Sequence, residues 1–365
     1  MAWRQRVRRL PLGGIGLVLG TVIIAVVFST VNFGAGLEHV DIKMLSGSTG
    51  GNYAAIAERL AARAKRRGGV IESVPSHGSV DNVRRLVAGT ADCDVQFALV
   101  QDGIPLPDTD ELELIGRLPG SETVFILGRD AARVTKFSDL RGMRIGIGPS
   151  RSGTEYLARS VLDSPDLQRL GLALSNHELP AQLELVASGA LDLAVFVLDE
   201  NAQLIRSAVR DRGMQLVSLA QLDVIPTRVP FVSLGAIKAG QYDVLAIVPP
   251  HDHPVLRVDT LVLGNRCASR SEEIGLLEVM TEELPGYLSA NARDRRGGPL
   301  RRSAVAKEYY AAEGPGFADK YVPWLVDIMP LGNWFYIAMT VSVLFNLMTL
   351  WHKVRLWRVE LDPLP

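Results

Sequence analysis

The stretch Asp41-Ile-Lys-Met-Leu-Ser-Gly-Ser-Thr-Gly-Gly-Asn-Tyr-Ala-Ala-Ile-Ala-Glu-Arg-Leu60 decides how the chain is read. Ile42, Met44 and Leu45 make a short strand-like run. Tyr53, Ile56, Ala57, Leu60 and Ala61 then recur at the three-and-four spacing of a helix. Between them lies a turn of small residues, Ser46 to Gly51. The first turn of a helix carries unpaired backbone N–H groups and the positive end of the macrodipole. Gly47, Gly50 and Gly51 let a ligand approach that backbone, and Ser46, Ser48 and Thr49 add hydroxyls. Such a corner suits a carboxylate or phosphate, although a plain strand-to-helix turn uses the same residues. It is neither common nucleotide loop: no lysine follows the glycines, and the spacing is not G-x-G-x-x-G.

The same design continues downstream. Val70-Ile-Glu-Ser-Val reads as a strand, Pro75 to Asn82 contains a glycine turn, and Ser79 to Gly89 is a helix. A strand from Val95 to Val100 then stops at Gln101-Asp-Gly. Alternating strands and helices argue for a parallel α/β sheet, in which ligands bind outside the carboxyl ends of the strands. Residues Glu113 to Leu127 read as paired strands leaving this unit. The pattern then restarts with a strand from Met143 to Ile147, a Gly/Ser/Thr turn from Gly148 to Thr154, and a helix to Leu162 with Glu155 in its first turn. A helix Leu179–Ser188 and a strand Leu193–Leu198, ending at Asp199-Glu-Asn, complete it. Two such units are what two facing lobes need to grip one small ligand between opposed helix N-termini.

Beyond Pro230 the sequence reads as strands Phe231–Ile237, Val244–Val248 and Leu256–Leu263, a helical region Ser271–Leu288, and a solvated loop from Asn291 to Arg302.

With 365 residues the chain can bury two proper cores, and its net charge of −1 does not point to nucleic acid. Cys93 and Cys267 form no metal pattern; one disulfide between them is open in an oxidising compartment, and two buried thiols are the preferred reading. The ends differ from the middle. Arg4, Arg6, Arg8 and Arg9 precede a charge-free run from Leu10 to Leu37, and Ile328 to Trp351 is charge-free again. Both runs are long enough to span a bilayer. Trp334, Phe335, Tyr336 and Trp351 sit at the edges of the second, where aromatic belts lie. Lys353, Arg355 and Arg358 follow, so the positive-inside rule puts both termini in the cytoplasm and residues 38–327 outside. The domain reading is residues 1–37 as anchor or cleaved signal, 38–125 with 231–290 as lobe 1, and 126–230 as lobe 2. Residues 291–327 follow as a linker, 328–351 as a transmembrane helix, and 352–365 as a cytoplasmic tail.

Arg151, in the second glycine turn, suits a bidentate grip on a carboxylate. Tyr53 either stacks on a ligand or packs into its lobe. His251 and His253 lack a third metal ligand nearby, so no metal or other cofactor is called for. Asp199 and Glu200 are adjacent on an extended segment and point apart. With no nucleophile elbow, no H-E-x-x-H and no nucleophile paired with a histidine, a binding module outranks an enzyme.

Taken together, Ser46-Gly-Ser-Thr-Gly-Gly-Asn-Tyr53, Gly78-Ser-Val-Asp-Asn82 and Val100-Gln101 resemble the TAXI receptors of tripartite ATP-independent periplasmic (TRAP) transporters. Leu140-Arg-Gly-Met-Arg-Ile-Gly-Ile-Gly148 and Ser152-Gly-Thr154 are similar to that family's second lobe. The tail Glu313-Gly-Pro-Gly-Phe with Tyr321-Val-Pro-Trp-Leu resembles a membrane-tethered branch. The resemblance implies a type 2 periplasmic-binding-protein fold, α/β with two lobes and a hinge. It implies an amino acid or small carboxylate as ligand, and a multi-span TRAP permease as partner beside the lipid bilayer. A ligand sensor acting through a membrane partner is the alternative. The contacts it implies are Ser48, Thr49, Gly51, Tyr53, Ser79, Asn82, Gln101, Ser152, Gly153 and Thr154. Asp102, and Asp199-Glu-Asn in place of a glycine-proline turn, depart from the pattern. They add acid that Arg117, Arg144 or Arg151 would have to balance for an anionic ligand.

Overall fold

A computed structural model describes residues 36–49, 51–107, 110–294, 296, 300–328 and 331–361. The expected N-terminal anchor or signal, residues 1–37, lies almost wholly outside them. Two compact units divide the chain: the larger is Glu38–Pro315, and the smaller holds the described residues from Gly316 onward.

The larger unit starts with β1 (Asp41–Gly47), α1 (Asn52–Arg66), β2 (Val70–Pro75), α2 (Ser79–Ala88), β3 (Phe97–Gln101) and β4 (Leu112–Arg117). Residues 118–121 cross to β5 (Glu122–Gly128), β6 (Arg144–Gly146), α3 (Gly153–Leu162), β7 (Ala173–Ser175), α4 (Leu179–Ala187) and β8 (Leu193–Leu198). The short β9 (Gln215–Leu216), β10 (Val232–Ile237) and β11 (His253–Val258) follow. Asp259 then returns the chain to β12 (Thr260–Asn265), and α5 (Arg270–Glu283), α6 (Tyr287–Arg293) and α7 (Ala304–Ala311) close the unit.

These strands form two sheets. The first has the order β2-β1-β3-β12-β4, the second β10-β11-β5-β8-β6-β7 with β9 beside β5. β1 is parallel to both β2 and β3, whereas β12 inserts antiparallel between β3 and β4. β8 is buried at all six positions, as a central strand covered on both faces must be. Its alternate residues feed two cores, Val195 and Val197 on one side and Ala194, Phe196 and Leu198 on the other. The first sheet packs Leu45, Ala98, Val100, Leu261 and Leu263 against Val83 and Leu86 of α2.

Several expectations are corrected here. β4 and β5 do not pair with each other; they enter different sheets. Likewise 256–263 is not one strand, because Asp259 separates β11 from β12. The expected hinge falls at these two crossings, tied where Asp102 N–H donates to Asp259 O at 2.8 Å and Ser121 Oγ donates to Asp259 Oδ1 at 2.7 Å. Residues 232–258 accordingly belong to the second sheet, not to lobe 1. Val244–Val248 is a surface loop rather than a strand; Val244 and Leu245 are exposed. The helical region 271–288 breaks at Leu284–Gly286, where Pro285 lies.

Part of the expected linker, in its described residues, packs against the first sheet. Asn291 is buried, accepting from Arg117 N–H at 2.8 Å and donating to Arg117 O at 2.9 Å, while Leu114 bonds to Arg301 and Ser303. The outer edge of β4 is thereby covered. Two of the arginines that suggested a solvated loop are partnered: Arg302 and Arg296 meet Asp294, and Arg296 also meets Asp259. Cys93 and Cys267 form a disulfide with Cα atoms 5.3 Å apart, not two thiols. The loop before β3 and the end of β12 are neighbours in the sheet, which sequence separation hides.

In the smaller unit, α8 (Leu331–Leu361) contains a 20-residue apolar stretch, Phe335–Val354, long enough to cross a membrane by length and composition. Its backbone stays helical beyond Trp351, where a separate tail was expected.

Candidate functional site

Three strand-to-helix turns converge on one cavity. Gly51 caps α1 in an extended conformation (φ −80°, ψ 169°), and Asn52 and Tyr53 of its first turn line the cavity. Gly78 precedes α2 with φ 117°, a left-handed conformation that favours glycine. From the other lobe, Ser152 caps α3 by accepting from Glu155 N–H at 3.1 Å. The cavity, about 60 Å³, is lined from both lobes, by Ser48, Ser79, Gln101, Ser152 and Thr154 among others. Its walls almost touch. A Cβ on Gly78 would lie 3.0 Å from Ser152 Cα, and one on Gly153 would lie 2.6 Å from Gln101 Oε1. The absence of side chains at these two glycines is what lets the turns face each other so closely.

Gln101 ends β3 and is 1% exposed. Its backbone N–H donates to Ser79 Oγ at 3.0 Å, fixing the α2 turn to the strand end. Its side-chain Nε2 has no hydrogen-bond partner among the described residues. A buried donor left unmade costs about 1–3 kcal/mol, and an acceptor on a ligand in this cavity would remove that cost.

Glu122 opens β5 beside the hinge and is 5% exposed. Tyr53 Oη donates to its Oε2 at 2.8 Å, Asn52 Nδ2 to Oε1 at 3.1 Å, and Thr260 Oγ1 to Oε2 at 3.3 Å. Burial pushes its pKa up to about 7; the three donors pull down against that, and the charge of Asp199 adds to the rise. The Tyr53 hydroxyl is pushed well above its ordinary range, first by burial and then by Glu122. A second cavity of about 360 Å³, lined by Arg59, Ser121 and Asp199, shares Asn52 and Glu122 with the first.

Of the residues singled out in the sequence, Ser48, Gly51, Tyr53, Ser79, Gln101, Ser152, Gly153 and Thr154 all line the cavity. Thr49, Asn82 and Arg151 do not. Asn82 is fully buried; its Nδ2 donates to Leu99 O at 2.7 Å and its Oδ1 accepts from Ser76, so it holds the α2 turn to β3. Arg151 adopts φ 65° and reaches across to lobe 1, placing its guanidinium 3.8 Å from Asp81. Asp81 lies below the usual carboxylate range: burial opposes this, but Arg84, the His77 N–H and Arg151 outweigh it. The added acids are also partnered, Asp102 with Arg117 and Glu200 with Arg257 at 2.8 Å, while Arg144 pairs with Asp192 at 2.7 Å. Sequence reading missed Glu122, Asn52 and His77. Asn52 and His77 sat inside quoted turns, but a single glutamate at a strand start carries no pattern. His253 opens β11 stacked on His251 (centroids 4.6 Å), and burial lowers its imidazole pKa.

The fold and site define a two-lobed α/β protein with a solute cavity between its sheets, closed by strand-to-helix turns from both sides. The chain belongs to the NMT1-like family, whose profile matches residues 44–247. It is similar to the substrate binding protein of an amino acid ABC transporter, at 13% identity and TM-score 0.39 over 68% of this chain and 93% of that one. It is also similar to the periplasmic sulfonate-binding protein SsuA of Methylobacillus flagellatus KT, at 13% identity and TM-score 0.39 over 80% and 82%. A third likeness is the CcmR regulatory domain of Synechocystis PCC6803 in complex with 2-PG, at 12% identity and TM-score 0.42 over 67% and 97%. At this level of identity and superposition, the ligands of those proteins say nothing about the ligand here.

Proposed function

We propose that the chain is an extracytoplasmic solute receptor of the TAXI kind, tethered to the inner membrane by α8. In this reading it closes its lobes on an amino acid or small carboxylate and presents it, chemically unchanged, to a multi-span TRAP permease. One observation carries the binding role: a buried, unpartnered Gln101 Nε2 sits in a cavity where the N-termini of α1, α2 and α3 converge from two lobes. Helix N-termini and free amide donors together suit an acceptor-bearing ligand such as a carboxylate. The Cys93–Cys267 disulfide fits an oxidising compartment outside the cytoplasm. Eight of the contacts implied by the TAXI resemblance line this cavity, and α8 supplies an apolar stretch for the tether.

The test is a thermal-shift screen of L-amino acids and small carboxylates on the purified full chain in detergent. A ligand bound only by the folded state raises the melting temperature by mass action. A concentration-dependent rise with the compound recovered intact is expected. Turnover of the compound, abolished by changes at the cavity, would replace the receptor with an enzyme.

A further inference from the structure

We propose that Glu122 sets the specificity of the cavity, taking the ammonium group of a zwitterionic solute whose carboxylate lies against the N-termini of α2 and α3. The inference rests on the receptor reading above and narrows its ligand. The two sides of the cavity differ in character. Toward Ser79 and Gly153 it offers helix N-termini and the unpartnered Gln101 Nε2, all of which favour an anion or acceptor. Toward α1 and the hinge it offers Glu122, which is the one acid among the described lining residues. Among the described residues no lysine or arginine lines the cavity with it.

That composition discriminates. A plain carboxylate would leave Glu122 without a counter-charge, and a plain amine would meet three helix N-termini of the wrong sign. A ligand carrying both charges answers both sides. The Glu122 carboxylate is also held in place for such a contact. A carboxylate has about four acceptor positions, and Tyr53, Asn52 and Thr260 occupy three. The groups bonded to it or acting on it are Asn52 and Tyr53 of α1, Thr260 of β12 and, through its charge, Asp199 after β8, none of them cationic; Arg59 of α1 lines the neighbouring cavity that Glu122 also borders. Burial resists ionisation of Glu122 to about pH 7, so an arriving ammonium group would stabilise its charged form and release a proton.

The experiment is calorimetry on the full chain in detergent at pH 7. The probes are L-α-amino acids, each with its des-amino carboxylic acid and its decarboxylated amine. For the amino acid that binds best, both truncated analogues should be at least tenfold weaker. Binding should release protons, read from the dependence of its heat on buffer ionisation enthalpy. In Glu122→Gln, loss of the amino group should cost less than threefold and proton release should vanish. Should that variant not fold, the wild-type analogue series and its proton release decide the matter alone. Carboxylic acids that bind as tightly as the amino acids without proton release would overturn the assignment to Glu122 and leave the receptor reading standing. Binding by no compound of any class would overturn both.

Discussion

Gly153→Ala isolates the closure of the two lobes from the stability of either. Gly153 is the first residue of α3, and an added Cβ would lie 2.6 Å from Gln101 Oε1 and 3.0 Å from Ser79 Oγ, both on the opposite lobe. Atoms in ordinary contact sit about 3.5 Å apart, so the lobes must stand roughly 1 Å further open. Gln101 cannot simply swing aside, because it is buried at the end of β3. Overpacking of this kind costs about 1–3 kcal/mol, which corresponds to roughly a 5- to 150-fold loss of ligand affinity. The position does not require a positive φ. With the lobes apart, alanine at a helix start should therefore stabilise by about 0.4–1 kcal/mol through the unfolded chain. The variant should keep or raise its unliganded melting temperature while losing affinity by calorimetry for the best compound of the amino-acid and carboxylate screen. A folded Gly153→Ala protein with wild-type affinity would refute the claim that these two faces close on the ligand.

Gln101→Leu removes the unpartnered amide. It should leave unliganded stability unchanged or higher by denaturant titration, and weaken ligand binding by about 1 kcal/mol or more. Glu122 and Glu273 both titrate near pH 7 because burial raises them above 4.5. The folded state therefore binds more protons than the unfolded state between those values, so their contribution to stability, full below about pH 4.5, is lost as pH rises through 7. Melting curves should show that fall, and Glu122→Gln with Glu273→Gln should flatten it. Reduction of Cys93–Cys267, which closes a long loop across lobe 1, should lower stability by about 2–5 kcal/mol in denaturant. Reporter fusions after Glu38 and Asp327 should be active outside the cytoplasm; activity confined to the cytoplasm would contradict the proposed topology.

Much of the site was legible because its chemistry is local. A strand, a small-residue turn and a helix at three-and-four spacing fix where N–H groups point, and the turns at Ser48, Ser79 and Ser152 all reach the cavity. What stayed hidden depends on partners far along the chain. Glu122 gains its character from Tyr53 and Thr260, 69 and 138 residues away. Asn82 carries the same polar group as a ligand contact, yet Leu99 and Ser76 use it to hold the α2 turn. The place of the hinge was missed for a related reason. Alternating apolar residues mark β4, β5, β11 and β12 as strands, but periodicity does not say which sheet each joins, so Asp259 passed as the middle of one strand. The linker was misread from composition alone, since arginines paired with Asp294 look the same in sequence as solvated ones.

The central claim is that two lobes close on a solute, and a distance between them tests it most directly. The chain's only two cysteines are bridged, so Lys65→Cys on α1 and Gln168→Cys after α3, both exposed, can carry spin labels without competition. Pulsed electron paramagnetic resonance on the full chain should give a broad distance distribution that narrows and shifts on saturation with the best-binding compound. A distribution that saturation leaves unchanged would contradict the account.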